Sequence, residues 1–275
     1  MRPYFFIGLL FFLFAIAPVH SSGQTKETLV LIETNMGTMK AKLYNDTPIH
    51  RDNFIKLAKA GHYDGTLFYR TIKNFIIQGG SSDSRNAVPG QVIGFGKGVI
   101  IDAEIKPNHY HKKGALAAPR QPDRVNFFKE SDISQFYIVQ GKKYTPEELK
   151  KIENAVNVPI KKAIQHKYFT KEKKAILDTL RAQKKVAEFR EIAEKIKTDI
   201  AFEWNLNTDK IHMPEDKIEA YTTLGGVHHL DKEYTVFGEV IEGLEIIDRI
   251  ADLKTDKQDR PLTDVKIIRV KIIEQ

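Results

Sequence analysis

The chain has 275 residues, 41% hydrophobic and 29% charged, the balance of a globular protein and not of a disordered or fibrous one. With no cysteine, it has no disulfide framework, no thiolate metal site and no cysteine nucleophile. The formal net charge of +7 is local, because residues 142–200 carry 16 Lys/Arg against 9 Asp/Glu and the rest of the chain balances.

Such a length suits one elaborated domain, or one domain with an inserted subdomain. An oxidising compartment stays open, since a core of this size holds together without cross-links. The basic segment suits an acidic protein partner, a membrane surface or nucleic acid. It can equally be the solvated face of a helix.

At the N-terminus, Arg2 precedes an apolar run from Tyr4 to Ala17, Pro18 ends it, and the small residues Ser21, Ser22 and Gly23 follow. This is the order of a secretory signal, which is removed from the mature protein. The run is short for a membrane-spanning helix, though an uncleaved anchor is the alternative. Residues 1–23 are therefore set apart from the fold. The location they imply is periplasmic or secreted, with no stable membrane insertion once the signal is gone.

Residues 28–34, rich in branched side chains, predict a strand. Asn35-Met36-Gly37 is a turn, and 38–44 alternates as a half-buried strand. Thr47-Pro48 opens a helix with Thr as N-cap, and Gly61 closes it. Leu67–Tyr69 and Phe75–Ile77 are short apolar stretches ending at Gly79-Gly80. A polar loop covers 81 to about 98, and residues 114–118 and 135–140 read as strands.

Then the period changes. Thr145-Pro146-Glu147-Glu148 is a capping box with Pro at the first helical position, and Thr170 caps a further segment. Apolar residues recur at helical spacing from Ile176 to Ile200. One helix over 171–200 would be about 45 Å long. Two capped helices joined near Val158-Pro159 predict a projecting hairpin or arm. Beyond it, Pro214 starts a short helix, 234–240 returns to strand, Gly243–Asp252 is a short amphipathic helix, and 264–273 is a closing strand. The expected division is a β domain of residues 24–141 and 220–275 interrupted by a helical insertion over 142–219, mainly β as a barrel or sandwich.

Four segments, in order, resemble the cyclophilin family: Phe68-Tyr-Arg-Thr-Ile-Lys-Asn-Phe-Ile-Ile-Gln-Gly-Gly80, Gly114-Ala-Leu-Ala-Ala118, Ser134-Gln-Phe-Tyr-Ile138, and Leu230-Asp231 followed by Tyr234-Thr-Val-Phe-Gly-Glu-Val240. The first is a specific signature; the others gain weight from their order. The resemblance implies a closed eight-stranded β-barrel with a helix at each end, and peptidyl-prolyl cis-trans isomerase activity on proline-containing polypeptides. It implies Arg70 as the catalytic arginine and Gln78 as the holder of the substrate backbone. Phe75, Ile76, Gln135, Tyr137 and Leu230 become substrate-binding residues. Arg120, His229 and Tyr234 fall at further substrate-binding positions, where the family more often has asparagine, tryptophan and histidine.

Ile133 replaces a glycine, and a position needing positive φ would strain it. The expectation is an altered rim with Gln135 still inward. The chemistry calls for no cofactor, metal or general base. His109-x-His111 and His228-His229 lack the acidic or cysteine neighbours of a metal site. The arm adjoins the pocket at both ends. It either extends the substrate surface or engages a partner, or it is a packed decoration. Nucleic acid is not the expected partner, because the arm has few aromatics beyond Tyr168, Phe169 and Phe189 for base stacking. The remaining reading is a cyclophilin-scaffold chaperone or binding module with weak or no catalysis.

Overall fold

Thr28–Thr34 (β1) and Gly37–Leu43 (β2) form the expected hairpin. Its alternation sorts the two faces: Val30, Ile32, Met39, Ala41 and Leu43 are fully buried, while Lys40 and Lys42 pair with Glu242 and Glu239 on the other face. The structure is a computed structural model that describes residues 26–94 and 99–274. The residues expected to be a signal, 1–23, and the last part of the polar loop, 95–98, lie outside the described residues.

Helix α1 spans Pro48–Lys59 with Thr47 at its N-cap and Pro at its start, as predicted, but the Thr47 side chain makes no capping hydrogen bond. That hydroxyl turns back to the Tyr44 carbonyl at 3.4 Å. The Glu104 carboxylate instead accepts from the Ile49 and His50 amides at 3.1 and 2.9 Å and bonds His50 Nδ1 at 2.7 Å. A carboxylate there meets the positive end of the helix dipole as well as its free N–H groups.

The remaining strands are Phe68–Thr71 (β3), Ile76–Gly79 (β4), Ile100–Ile101 (β5), Ala115–Ala117 (β6), Ser131–Asp132 (β7), Phe136–Val139 (β8), Val236–Glu242 (β9) and Ile267–Glu274 (β10). Eight of them make one sheet in the order β10-β1-β2-β9-β6-β8-β4-β3, and β5 pairs with β7 apart from it. The sheet curls until its two ends meet. There Leu67 bridges Lys266, Phe68 N–H donates to Val265 O at 2.8 Å, and Ile267 N–H donates to Thr66 O at 2.8 Å. This is the mainly β, eight-stranded architecture that the resemblance implies; the two ends join through a short irregular seam.

The larger core gathers Phe54, Tyr63, Phe68, Phe136 and Phe237 with Ile246, Ile247 and Ile250 of helix α6 (Leu244–Ala251). Both α1 and α6 thus bury one stripe on the sheet.

The insertion differs from its prediction. Helix α2 (Pro146–Tyr168) carries the predicted capping box but runs on through Pro159. An interior proline removes one helical hydrogen bond and costs about 3 kcal/mol. Contacts elsewhere hold the helix: the Asn157 amide bonds both the Ile211 carbonyl and its N–H, at 2.8 and 3.0 Å, and α2 packs on the helix over Val186–Leu206. The single long helix over 171–200 is broken into α3 (Lys171–Ala182) and α4 (Val186–Leu206), with Lys184 at φ 56° between them. The break lets the Leu177 and Leu180 stripe of α3 fold back on α4, where one straight helix would leave it in water. The arm is therefore three packed helices, followed by α5 (Glu215–Thr223).

The insertion leaves and re-enters the sheet domain at one point. Lys142 and Gly226 exchange backbone hydrogen bonds of 3.2 and 3.0 Å. Gly141, at φ 65°, lies so close that a Cβ would stand 2.3 Å from the Gly226 Cα.

Candidate functional site

Strands β3 and β4 lie next to each other in sequence and pair antiparallel, placing Arg70 directly opposite Gln78. Gln78 is in turn opposite Tyr137 of β8. Three candidate residues from two distant segments thus share one stripe of the sheet. Ile76, Tyr137 and Leu230 belong to one buried apolar cluster, with Phe75 and Tyr234 packed against it partly exposed.

Arg70 is half-exposed, and its Nε lies 3.4 Å from Asp259 Oδ2. Asp259 belongs to the turn before β10, and its carbonyl accepts from the Thr71 amide at 2.8 Å. Among the described residues, nothing bonds the two terminal nitrogens of Arg70. The sequence reading missed Asp259, which no local pattern connects to Arg70.

The glutamines form a ring with Tyr69, also absent from that reading. Gln78 Nε2 donates to the Tyr69 hydroxyl at 2.7 Å and to Gln135 Oε1 at 3.3 Å, and the Tyr69 hydroxyl donates to Gln135 Oε1. Gln135 Nε2 donates to Asp132 Oδ2 at 2.8 Å and to the Gly94 carbonyl at 3.2 Å. Gln135 therefore faces Gln78, inward as expected. Ile133 is not among the non-glycine residues with positive φ, so the expected backbone strain does not arise.

On the opposite side, His229 stacks on Phe75, with centroids 5.7 Å apart and planes 11° from parallel. Tyr234 meets Tyr137 edge-on at 6.0 Å. Arg120 departs from its expected role. Its side chain is only 5% exposed and lies 4.8 Å over the Tyr234 ring. Its guanidinium donates to the Glu233 carbonyl at 2.7 Å, the Glu233 carboxylate at 3.0 Å and Asp123 at 2.5 Å. With those donors occupied, the Arg120 side chain braces the rim.

Behind Tyr137 runs a buried polar chain. The Tyr137 hydroxyl lies 2.9 Å from His111 Nε2, and His111 Nδ1 lies 3.1 Å from Asp231 Oδ1. Asp231 also accepts from the His111 amide at 2.8 Å, the Tyr221 hydroxyl at 2.7 Å and Lys217 Nζ at 2.7 Å. Burial pushes the Asp231 carboxyl up, but the His111 hydrogen bond and the Lys217 charge outweigh it and hold it at about 2. Burial also pushes His111 down, so its imidazole is neutral. An ionised carboxylate can only accept, so the imidazole proton sits on Nδ1 and Nε2 accepts from Tyr137. Lys217 and Tyr221 are residues of α5, so this helix supports the wall of the groove.

The paired histidines do other work. His109 stacks on Tyr44 at 4.1 Å and bonds Asp46 at 2.8 Å. Among the described residues, no group of three or more His, Asp or Glu is arranged to hold a metal ion.

Comparison with known proteins agrees with this geometry. The family model described as "Cyclophilin type peptidyl-prolyl cis-trans isomerase/CLD" matches residues 29–198 and 205–272. A protein of Staphylococcus saprophyticus named "Putative peptidyl-prolyl cis-trans isomerase" is 27% identical over 250 residues, spanning 90% of this chain and 93% of its own. One of the same name from Staphylococcus aureus USA300 is 27% identical over 252 residues, 91% and 94% of the two chains. A Cryptosporidium parvum cyclophilin-type isomerase crystal structure shares the fold with a TM-score of 0.51 at 19% identity, over 91% of this chain and 99% of its own.

Proposed function

The chain belongs to the cyclophilin-type peptidyl-prolyl cis-trans isomerases, and from that premise we propose that it isomerises X–Pro bonds of exported polypeptides and so assists their folding. One observation carries the placement of the site: Arg70 and Gln78 face each other across β3 and β4, beside the apolar cluster of Phe75, Ile76, Tyr137 and Leu230.

The reaction rotates an amide whose barrier is roughly 18–20 kcal/mol. That barrier is the resonance between the nitrogen lone pair and the carbonyl. In the twisted state the lone pair is localised on the proline nitrogen and can accept a hydrogen bond. The unengaged terminal nitrogens of Arg70 supply permanently charged donors. Their bond is stronger to the twisted state than to either planar one, and this difference is what lowers the barrier. Phe75, Ile76, Tyr137 and Leu230 enclose the pyrrolidine ring. Gln78, held by Tyr69, takes the substrate backbone so that one side of the bond turns while the other stays. His229 and Tyr234 line the rim.

Export rests on the signal-like residues 1–23, with periplasmic or secreted protein as the outcome. Among the described residues no helix is long and apolar enough to cross a membrane. A second reading, a polypeptide-binding module with weak catalysis, draws on Asp259, whose carboxylate shares the Arg70 charge.

Exchange NMR of an X–Pro peptide with the protein and its Arg70→Ala variant separates the two readings. Fast exchange that disappears in the variant supports the enzyme and its site. Exchange at background in both leaves the binding module.

A further inference from the structure

The loop from Arg120 to Gln135 begins and ends at the groove, and its tip is apolar. Phe127 and Phe128 are 84% and 77% exposed, the two most exposed large hydrophobic side chains among the described residues, and Val125 beside them is 67% exposed. Surface rings this open are usually single and scattered; a grouped set marks a contact.

The tip is built to hold its shape. Val125 and Asn126 N–H groups donate to the Pro122 carbonyl at 3.0 and 3.1 Å, and Lys129 N–H donates to Asn126 O at 3.2 Å. Asn126, buried between the exposed residues, donates from Nδ2 to Glu130 O at 2.7 Å and accepts Glu130 N–H at 2.9 Å. The two rings meet edge-on at 5.4 Å. Salt links clip the turn to the groove's rim. Glu233 pairs with Arg120 at 3.0 Å and with Lys129 at 2.8 Å, next to Tyr234, and Lys129 also donates to the Lys232 carbonyl at 3.3 Å.

We infer that the Val125–Phe128 turn is an accessory contact for the polypeptide whose X–Pro bond occupies the groove, taking an apolar or aromatic side chain several residues away from the proline. The inference rests on the groove being the isomerase site. Continuity with that groove through Arg120, Glu233 and Lys129 favours a polypeptide occupant. Charge disfavours a lipid surface: residues 119–134 hold three cations (Arg120, Arg124, Lys129) and three anions (Asp123, Glu130, Asp132), with no excess to draw anionic lipid. A turn whose backbone is already held by these hydrogen bonds loses little conformational freedom on binding, so it anchors a flexible chain at low cost.

The test is the double variant Phe127→Ser/Phe128→Ser, whose changes are on the surface and leave the unfolding midpoint in place. Exchange of a short Ala-Pro peptide stays at the unaltered protein's rate. Binding to a fluorescent, reduced and carboxymethylated ribonuclease, read by anisotropy, weakens about tenfold, the loss of one anchor of an interface. Phe127→Leu/Phe128→Leu recovers most of it. Unchanged binding in the serine variant overturns the inference. So does ring-dependent co-sedimentation with phosphatidylglycerol vesicles while ribonuclease binding is unchanged, which assigns the tip to lipid. The binding readout does not depend on turnover, so a protein without exchange activity would sink the enzyme reading and leave this one decided by anisotropy.

Discussion

The two walls of the groove are held by opposite means. Arg70 and Gln78 sit on neighbouring strands joined by a short turn, and the backbone ladder sets them opposite each other. Tyr137 is held through His111, 26 positions away, and His111 through Asp231, 120 positions further along the chain. That support closes on Lys217 and Tyr221, residues of the inserted helix α5. The first wall is set by one hairpin, with Asp259 and Gln135 reaching its side chains from elsewhere in the chain. The second depends on a segment outside the sheet domain. An insertion that looks like an appendage is thus two things: a projecting bundle of α2 to α4, and a short helix that forms the back of the pocket.

The second wall is most vulnerable at Asp231. Asp231→Ala leaves Lys217 as an uncompensated buried charge, and the expected loss is about 3–5 kcal/mol, measured by urea unfolding. A loss under 1 kcal/mol would mean that the polar chain supports nothing. At the other wall, Arg70→Ala should slow peptide exchange about 10²–10³-fold, as removal of one charged donor does elsewhere. Its unfolding midpoint should not move, since the side chain is half-exposed. Equal losses of rate and stability would show the two walls to be less separate than their contacts.

Tyr221→Phe removes one hydrogen bond to a buried carboxylate, worth about 2 kcal/mol. Its second signature is a raised KM with kcat held, since it would loosen the wall and leave Arg70 in place. The pH profile sharpens the same point. His111 is pushed down by burial, so the unfolded chain binds the proton first, and stability declines as pH falls below about 6.5. Asp231 is held at about 2 in the fold. Its share is whole above roughly pH 4 and is lost as pH falls toward its folded value. Urea midpoints between pH 7.5 and 3 read both, and a flat line from neutral to pH 5 would deny His111 its role. The smallest effect is in the arm: Lys184→Gly relieves a left-handed residue and should add about 1 kcal/mol, read as a shift in the urea midpoint without change in peptide exchange.

How much was legible follows the same division. Alternation disclosed β1 and β2, and the Thr145–Glu148 pattern disclosed the start of α2, because each signal lies within a few residues of what it specifies. The signature around Arg70 to Gln78 was legible for that reason too. The carboxylate that satisfies the first N–H groups of α1 was not, because Glu104 reaches them from 55 positions away. Tyr69 was passed over although it adjoins Arg70, since only the fold brings its hydroxyl to Gln135. The arm misled in two ways. Pro159 looked like a break but is carried by tertiary packing, and Lys184 broke a helix with no glycine or proline to announce it. Arg120 was placed at the groove by position alone, and its guanidinium is taken up by Glu233 and Asp123.

The order of the strands sets a timetable for synthesis. β9 lies inside the sheet, between β2 and β6, yet follows the whole insertion in the chain. Until it arrives, β1–β2 and β6–β8–β4–β3 are two separate half-sheets, each with open edges that invite pairing with other chains. At roughly 5–20 residues per second, the bundle of α2 to α4, rich in local contacts and quick to form, is complete before β9 leaves the ribosome. The nascent chain therefore carries a finished helical bundle beside an unclosed sheet, and for that interval it is itself a client for the machinery that guards unfolded chains.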